Sequence, residues 1–211
     1  MIPKTIQQKL DEGRSYRSVV EIRALNNDDS DMIVEGYATT FMEPYTLWED
    51  GNYIVKEQVD ARAFENTDMT DVIMQYDHEG RVFARVSNGT LELTTDNHGL
   101  FVRADLSGTE IGRQLYQEIK GGYTDKMSFG FTVESDECLN IKDGDTVTIL
   151  RTITGIRKLY DVSAVSLPAN NATEISARAY CEGVIAEAAE ECRAAAERER
   201  QKRKIKLLME V

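Results

Sequence analysis

Gly121-Gly122-Tyr123-Thr124-Asp125-Lys126-Met127-Ser128-Phe129-Gly130-Phe131 carries the chain from a helical run into a strand. Before it, residues 109–120 place Ile111, Leu115 and Ile119 on one face of an amphipathic helix. The glycine pair stops that helix. After it, strand alternation puts Met127, Phe129, Phe131 and Val133 on one face and Ser128, Gly130 and Thr132 on the other. The first set can bury. The second sets a lone hydroxyl among small neighbours, with room for a substrate backbone to approach. That suits a nucleophile, and it equally suits an ordinary half-buried strand.

The same period-2 pattern predicts strands over residues 17–24, 32–41, 52–59, 82–87, 90–95, 100–106, 147–153 and 159–167. Asp50-Gly51, Asn88-Gly89, Asn97-His98-Gly99 and Asp143-Gly144 lie between such runs and predict tight hairpins, because Asn and Gly accept positive φ. Residues 44–51 read as a connection. Asp60 reads as the N-cap of a short helix over 60–66, and Ser107 with Glu110 has capping-box spacing. Asn26-Asn27-Asp28-Asp29-Ser30-Asp31 reads as a loop. The fold expected is α+β, dominated by an antiparallel barrel or sandwich with a few packed helices.

Residues 1–16 are polar and read as a flexible segment; residues 17–172 form the strand-rich body. From residue 173 the composition turns to Ala, Glu, Arg and Lys, a helical tail with few large apolar side chains, either solvated or docked on a partner. The net charge of −12 lies wholly in residues 1–170, since the remainder carries equal numbers of acids and bases. Such a body repels phosphates, which disfavours nucleic acid as a partner. No run is long and apolar enough to span a membrane, and the first residues lack the apolar core of a signal peptide. The three cysteines, Cys138, Cys181 and Cys192, form neither a disulfide framework nor a metal spacing with the two histidines. No metal or cofactor is expected.

Three groups could carry chemistry. His78 sits near a strand end between Asp77 and Glu79, which would support a charged imidazole. His98, in a hairpin turn, is explained by the turn. Asp161 interrupts an apolar strand and needs a partner there: a histidine N–H, or a neighbouring cation such as Arg157 or Lys158. With Ser128 these supply a nucleophile, a base and an orienting carboxylate.

Four pieces in order carry a resemblance: Tyr76-Asp77-His78 ahead of an Arg-containing strand, Gly-Leu-Phe-Val-Arg-Ala-Asp-Leu at 99–106, the Gly-Gly to Met-Ser-Phe-Gly-Phe stretch, and Leu-Tyr-Asp-Val-Ser-Ala-Val-Ser-Leu-Pro-Ala-Asn at 159–170. From about residue 33 to 171 the chain resembles the prohead serine proteases of tailed phages, relatives in fold of the herpesvirus assemblins. The resemblance implies a protease domain over 17–172, with Ser128 as nucleophile, His78 as general base and Asp161 as third member. Relatives often carry glutamate at that third place, one methylene longer. The assemblins use a second histidine, for which only His98 is on offer; Asp161 ranks above it. The implied role is cleavage of scaffold, or of the scaffold-like segment of the major capsid protein, and of the protease itself. The implied place is the assembling procapsid in the bacterial cytoplasm, with a homodimer or higher oligomer as a possible form. Two other readings stand beside it. One is a non-catalytic assembly or scaffold protein keeping the fold. The other is a cysteine hydrolase using Cys138, whose acidic neighbours are the wrong electrostatics for a thiolate.

Overall fold

Among the described residues, alternating apolar side chains build ten strands into one connected sheet. The computed structural model describes residues 8–9, 11–25, 31–166 and 171–209. Most of the Asn/Asp loop cluster and the Leu-Pro-Ala-Asn motif at 167–170 lie outside them. In chain order the strands are β1 (Ser15–Ala24), β2 (Ile33–Thr40), β3 (Tyr45–Asp50), β4 (Tyr53–Val59), β5 (Ile73–Tyr76), β6 (Glu79–Arg85), β7 (Leu91–Thr95) and β8 (Gly99–Asp105). Helix α1 (Glu110–Lys120) follows, then β9 (Lys126–Asp143), β10 (Thr146–Val165) and helix α2 (Asn171–Met209).

The strand order is β3-β4-β10-β9-β1-β2-β8-β7, with β5 on β10 and β6 on β5. Among the described residues no ladder joins β3 to β7, so the sheet is open where a closed barrel was one expectation. It curls nonetheless: Phe41, just past β2, bridges Val59 at the end of β4. One core fills the curl, with Phe129, Phe131, Leu100, Val102, Leu115 and Ile153 in it. The sheet is also not purely antiparallel. β10 runs parallel to β4 along its first half and parallel to β5 at Asp161–Ala164. Residue periodicity is the same in both kinds of ladder, so the pattern alone does not separate them.

Several local expectations change for physical reasons. The runs expected as 127–133, 147–153 and 159–167 are parts of two strands of 18 and 20 residues. Residues 135–140 extend β9 because β10 supplies their backbone partners, although their side chains are exposed. The irregular Thr154–Lys158 region is absorbed as shifts in register. The connection at 44–51 is β3. The helix expected at 60–66 is a run of turns in which Asp60 Oδ1 accepts from the Arg62 N–H at 2.9 Å. The cap of α1 is Thr109, whose hydroxyl accepts from Gly112 N–H at 3.0 Å, and not Ser107. Asn88-Gly89 ends a short 3-10 turn between β6 and β7, which pair with β5 and β8 and not with each other. Asp143-Gly144 does make the tight β9–β10 hairpin, with Gly144 at φ 59°.

Helix α2 lies on the outer half of the sheet, where its Cys181 and Ala188 are buried beside Val55, Val147 and Ile149. Under it sits a buried ionic cluster. Glu57, fully buried, accepts from Arg17 Nε at 2.5 Å and Nη2 at 3.0 Å, from Arg151 Nη1 at 2.8 Å and from the Tyr45 hydroxyl at 2.5 Å. The ring of Tyr180, on α2, covers the Arg151 guanidinium at 3.9 Å. Burial pushes the Glu57 carboxyl up, but Arg17, then Arg151 and Tyr45, outweigh it and hold it at about 2. An unfolded glutamate titrates near ~4.3. The folded value is the lower one, so the group stabilises the fold fully above ~4.3 and loses that contribution as pH falls towards 2. From Glu57 alone, the unfolding free energy from urea titrations is expected to drop by about 3 kcal/mol between pH 5 and pH 2. A flat profile would contradict the cluster.

Candidate active site

His78 is presented by the β5–β6 hairpin. Tyr76 pairs with Glu79, which leaves Asp77 and His78 as a two-residue loop. Both have positive φ, 49° and 61°, the type I′ signature usually met by Asn-Gly. Each non-glycine residue in that region costs roughly 1–2 kcal/mol, so the loop needs fastening. The Asp77 N–H donates to the Ala164 carbonyl at 3.0 Å. The Asp77 carboxylate accepts from the N–H and the hydroxyl of Ser166, each at 3.0 Å. Lys9 Nζ donates to the His78 carbonyl at 2.6 Å. Asp77 is therefore occupied at the end of β10, and its carboxylate is not the support for the imidazole that the sequence suggested.

Ser128 and Asp161 come from the long β9–β10 ladder, in which Asp161 is opposite Gly130 and Ser163 opposite Ser128. Tyr160 is an extra residue just before Asp161. The three predicted side chains meet. His78 Nδ1 is 2.5 Å from Asp161 Oδ1, and His78 Nε2 is 2.6 Å from Ser128 Oγ. An ionised carboxylate only accepts, so Nδ1 carries the proton and Nε2 is free to accept from the serine hydroxyl. Ser163 Oγ donates to the same Asp161 Oδ1 at 2.9 Å. Burial pushes the Asp161 carboxyl up, but the interaction with His78, with the Ser163 hydroxyl beside it, holds it below its usual value. Lys158, the alternative partner for Asp161, goes instead to Asp68 at 2.7 Å.

The small residue at 130 has a different use from the one its sequence context suggested. A Cβ there would lie 2.5 Å from Asp161 Oδ2 and 2.8 Å from Cε1 of Tyr16. The open space is filled from within, by the carboxylate and a tyrosine ring, and not left for substrate. Tyr16 is fully buried, with its ring centroid 4.4 Å from that of His78. Gly130→Ala is expected to cost about 1–3 kcal/mol, as overpacking does. It should also displace Asp161 from His78; a variant with unchanged melting temperature and activity would contradict this close approach.

Tyr16 and Ser163 escaped the sequence reading. Tyr16 closes the polar segment that reads as flexible, although β1 begins at Ser15; Ser163 differs from any strand serine only by its position two residues after Asp161. His98 stays apart, in the β7–β8 turn with its ring edge-on to Tyr37. Cys138 is exposed on β9, its sulfur 3.2 Å from the Tyr180 hydroxyl. A groove of about 590 Å³ lies between α1 and the β5–β6 hairpin, floored by Tyr76, Phe83, Ile111 and Leu115; none of the three meeting side chains lines it. Ser128 itself is 1% exposed and His78 0%. Among the described residues no group of acids, histidines and cysteines is arranged to hold a metal ion, and no helix is long and apolar enough to cross a membrane.

Comparison with known proteins gives two findings. The family model described as caudovirus prohead serine protease matches residues 18–185. The structure of the bacteriophage T4 capsid assembly protease, gp21, is similar at 11% identity over 72% of this chain and 98% of that one, with a TM-score of 0.37, a likeness too remote to bear on the chemistry. No curated protein matches.

Proposed function

The chain belongs to the caudovirus prohead serine protease family, and from that premise we propose that it is a serine endopeptidase of capsid maturation acting through Ser128, His78 and Asp161. The observation that carries the proposal is the continuous hydrogen-bonded line Ser128–His78–Asp161, at 2.6 and 2.5 Å. Ser128 Oγ attacks the scissile carbonyl while His78 Nε2 takes its proton. Asp161 stabilises the imidazolium through Nδ1–H. His78 then hands the proton to the leaving amine, and an acyl-enzyme remains on Ser128. Water attacks the ester, again with His78 as base, and the serine is restored.

The substrate in this reading is scaffold, or the scaffold-like segment of the major capsid protein, together with the protease itself, inside the assembling procapsid. The acidic body fits an enzyme that leaves DNA alone. A specific observation favours the competing reading of a non-catalytic assembly protein: Ser128 and His78 are closed to solvent. In the protease reading the chain around them moves to admit a peptide.

Co-expression with the cognate capsid protein tests both. Intact masses are measured for wild type and His78→Ala. Truncated capsid protein with wild type only supports the endopeptidase and supplies its cleavage sequence. Full-length capsid protein with both, in shells that did assemble, supports the assembly-protein reading.

A further inference from the structure

A fourth side chain stands behind the three. Ser163 is fully buried, lies two residues from Asp161 on the same strand face, and sits opposite Ser128 in the β9–β10 ladder. Its hydroxyl donates at 2.9 Å to Oδ1 of Asp161, the oxygen that also faces His78 Nδ1 at 2.5 Å. Asp161 is a short side chain whose carboxylate can turn about its last torsion and exchange its oxygens. One donor from the imidazole does not prevent this. A second donor from the same strand does restrict the torsion, because both donors converge on the one oxygen and hold it towards His78. The far side is blocked too: Oδ2 rests over Gly130, where there is no Cβ.

We propose that Ser163 is a positioning residue for the reaction, holding the Asp161 carboxylate so that a single oxygen faces His78. The inference rests on the protease reading for its kinetic consequence but not for its structural one. The Ser163 hydroxyl bonds to Asp161, and it acts through that carboxylate. It also supplies a buried carboxylate with a hydrogen bond that it would otherwise lack, which such groups require.

Ser163→Ala removes one oxygen and little volume, so the variant should fold. With a peptide spanning the mapped cleavage site, kcat should fall roughly 10- to 100-fold with KM unchanged, the usual scale for a lost hydrogen bond to a charged group. In parallel, the proton NMR resonance of His78 Nδ1–H, recorded without substrate, should move upfield or be lost to exchange with water in Ser163→Ala. A kcat within twofold of wild type, or an unmoved Nδ1–H resonance, overturns the proposal. Should wild type cleave nothing, the protease reading fails, and the resonance alone still decides whether Ser163 holds Asp161.

Discussion

Ser128→Ala is expected to lower kcat/KM by on the order of a million-fold, to a residue of activity owed to binding alone. In the proposed mechanism the serine, histidine and aspartate act as one unit, so adding His78→Ala to Ser128→Ala should cost little more. Stability should respond in a different proportion. Removing the hydroxyl leaves His78 Nε2 buried without its 2.6 Å partner, which costs about 1–3 kcal/mol. The pair of measurements is cleavage of a capsid-derived peptide and the urea midpoint. Catalysis reduced tenfold or less, in a variant that folds, would remove Ser128 from the nucleophile's role. Loss of both activity and fold would leave His78→Ala and Asp161→Asn to be compared in the same way.

Glu57→Gln should be the most damaging change to the fold itself. The substitution keeps the shape and removes the one charge that Arg17 and Arg151 share inside the protein. Arg17 then remains buried against a neutral amide, while Arg151 keeps the Asp136 carboxylate, 2.5 Å from its Nε. Breaking a buried pair from one side costs about 3–5 kcal/mol, which for a chain of this size lowers the melting temperature by roughly 10 °C. The damage should also reach the active site. Arg17 Nη1 donates to the Tyr16 carbonyl at 2.8 Å, and the Tyr16 ring lies against His78. A loss of stability below about 1 kcal/mol would mean that water reaches the cluster. Replacing Arg17, Glu57 and Arg151 together by apolar residues of similar volume should be far milder than Glu57→Gln.

These two predictions draw on different kinds of information. Ser128 was a candidate from its own strand: Met127, Phe129 and Phe131 bury on one face, and the hydroxyl falls between them on the other. Asp161 was a candidate because an acid in an apolar strand needs a partner. His78 stood out by position and by the family resemblance. Glu57 gave no signal at all, because its partners are 12, 40 and 94 residues away and nothing local distinguishes it from a solvated glutamate.

Side-chain period and glycine placement are properties of a few neighbouring residues. Local pattern alone therefore specifies that residues 127–133 are a strand, which face of it carries Ser128, where Gly122 and Gly144 turn the chain, and that the tail is helical. It did not determine which strand edges meet. The parallel pairing of β5 on β10, the register that sets Ser163 opposite Ser128, and the filling of the Gly130 notch by Asp161 and Tyr16 were decided by the tertiary structure. Those contacts join segments 30 to more than 100 residues apart. What selects them is the burial of one shared core and the satisfaction of buried polar groups, quantities that exist only once the whole sheet is assembled.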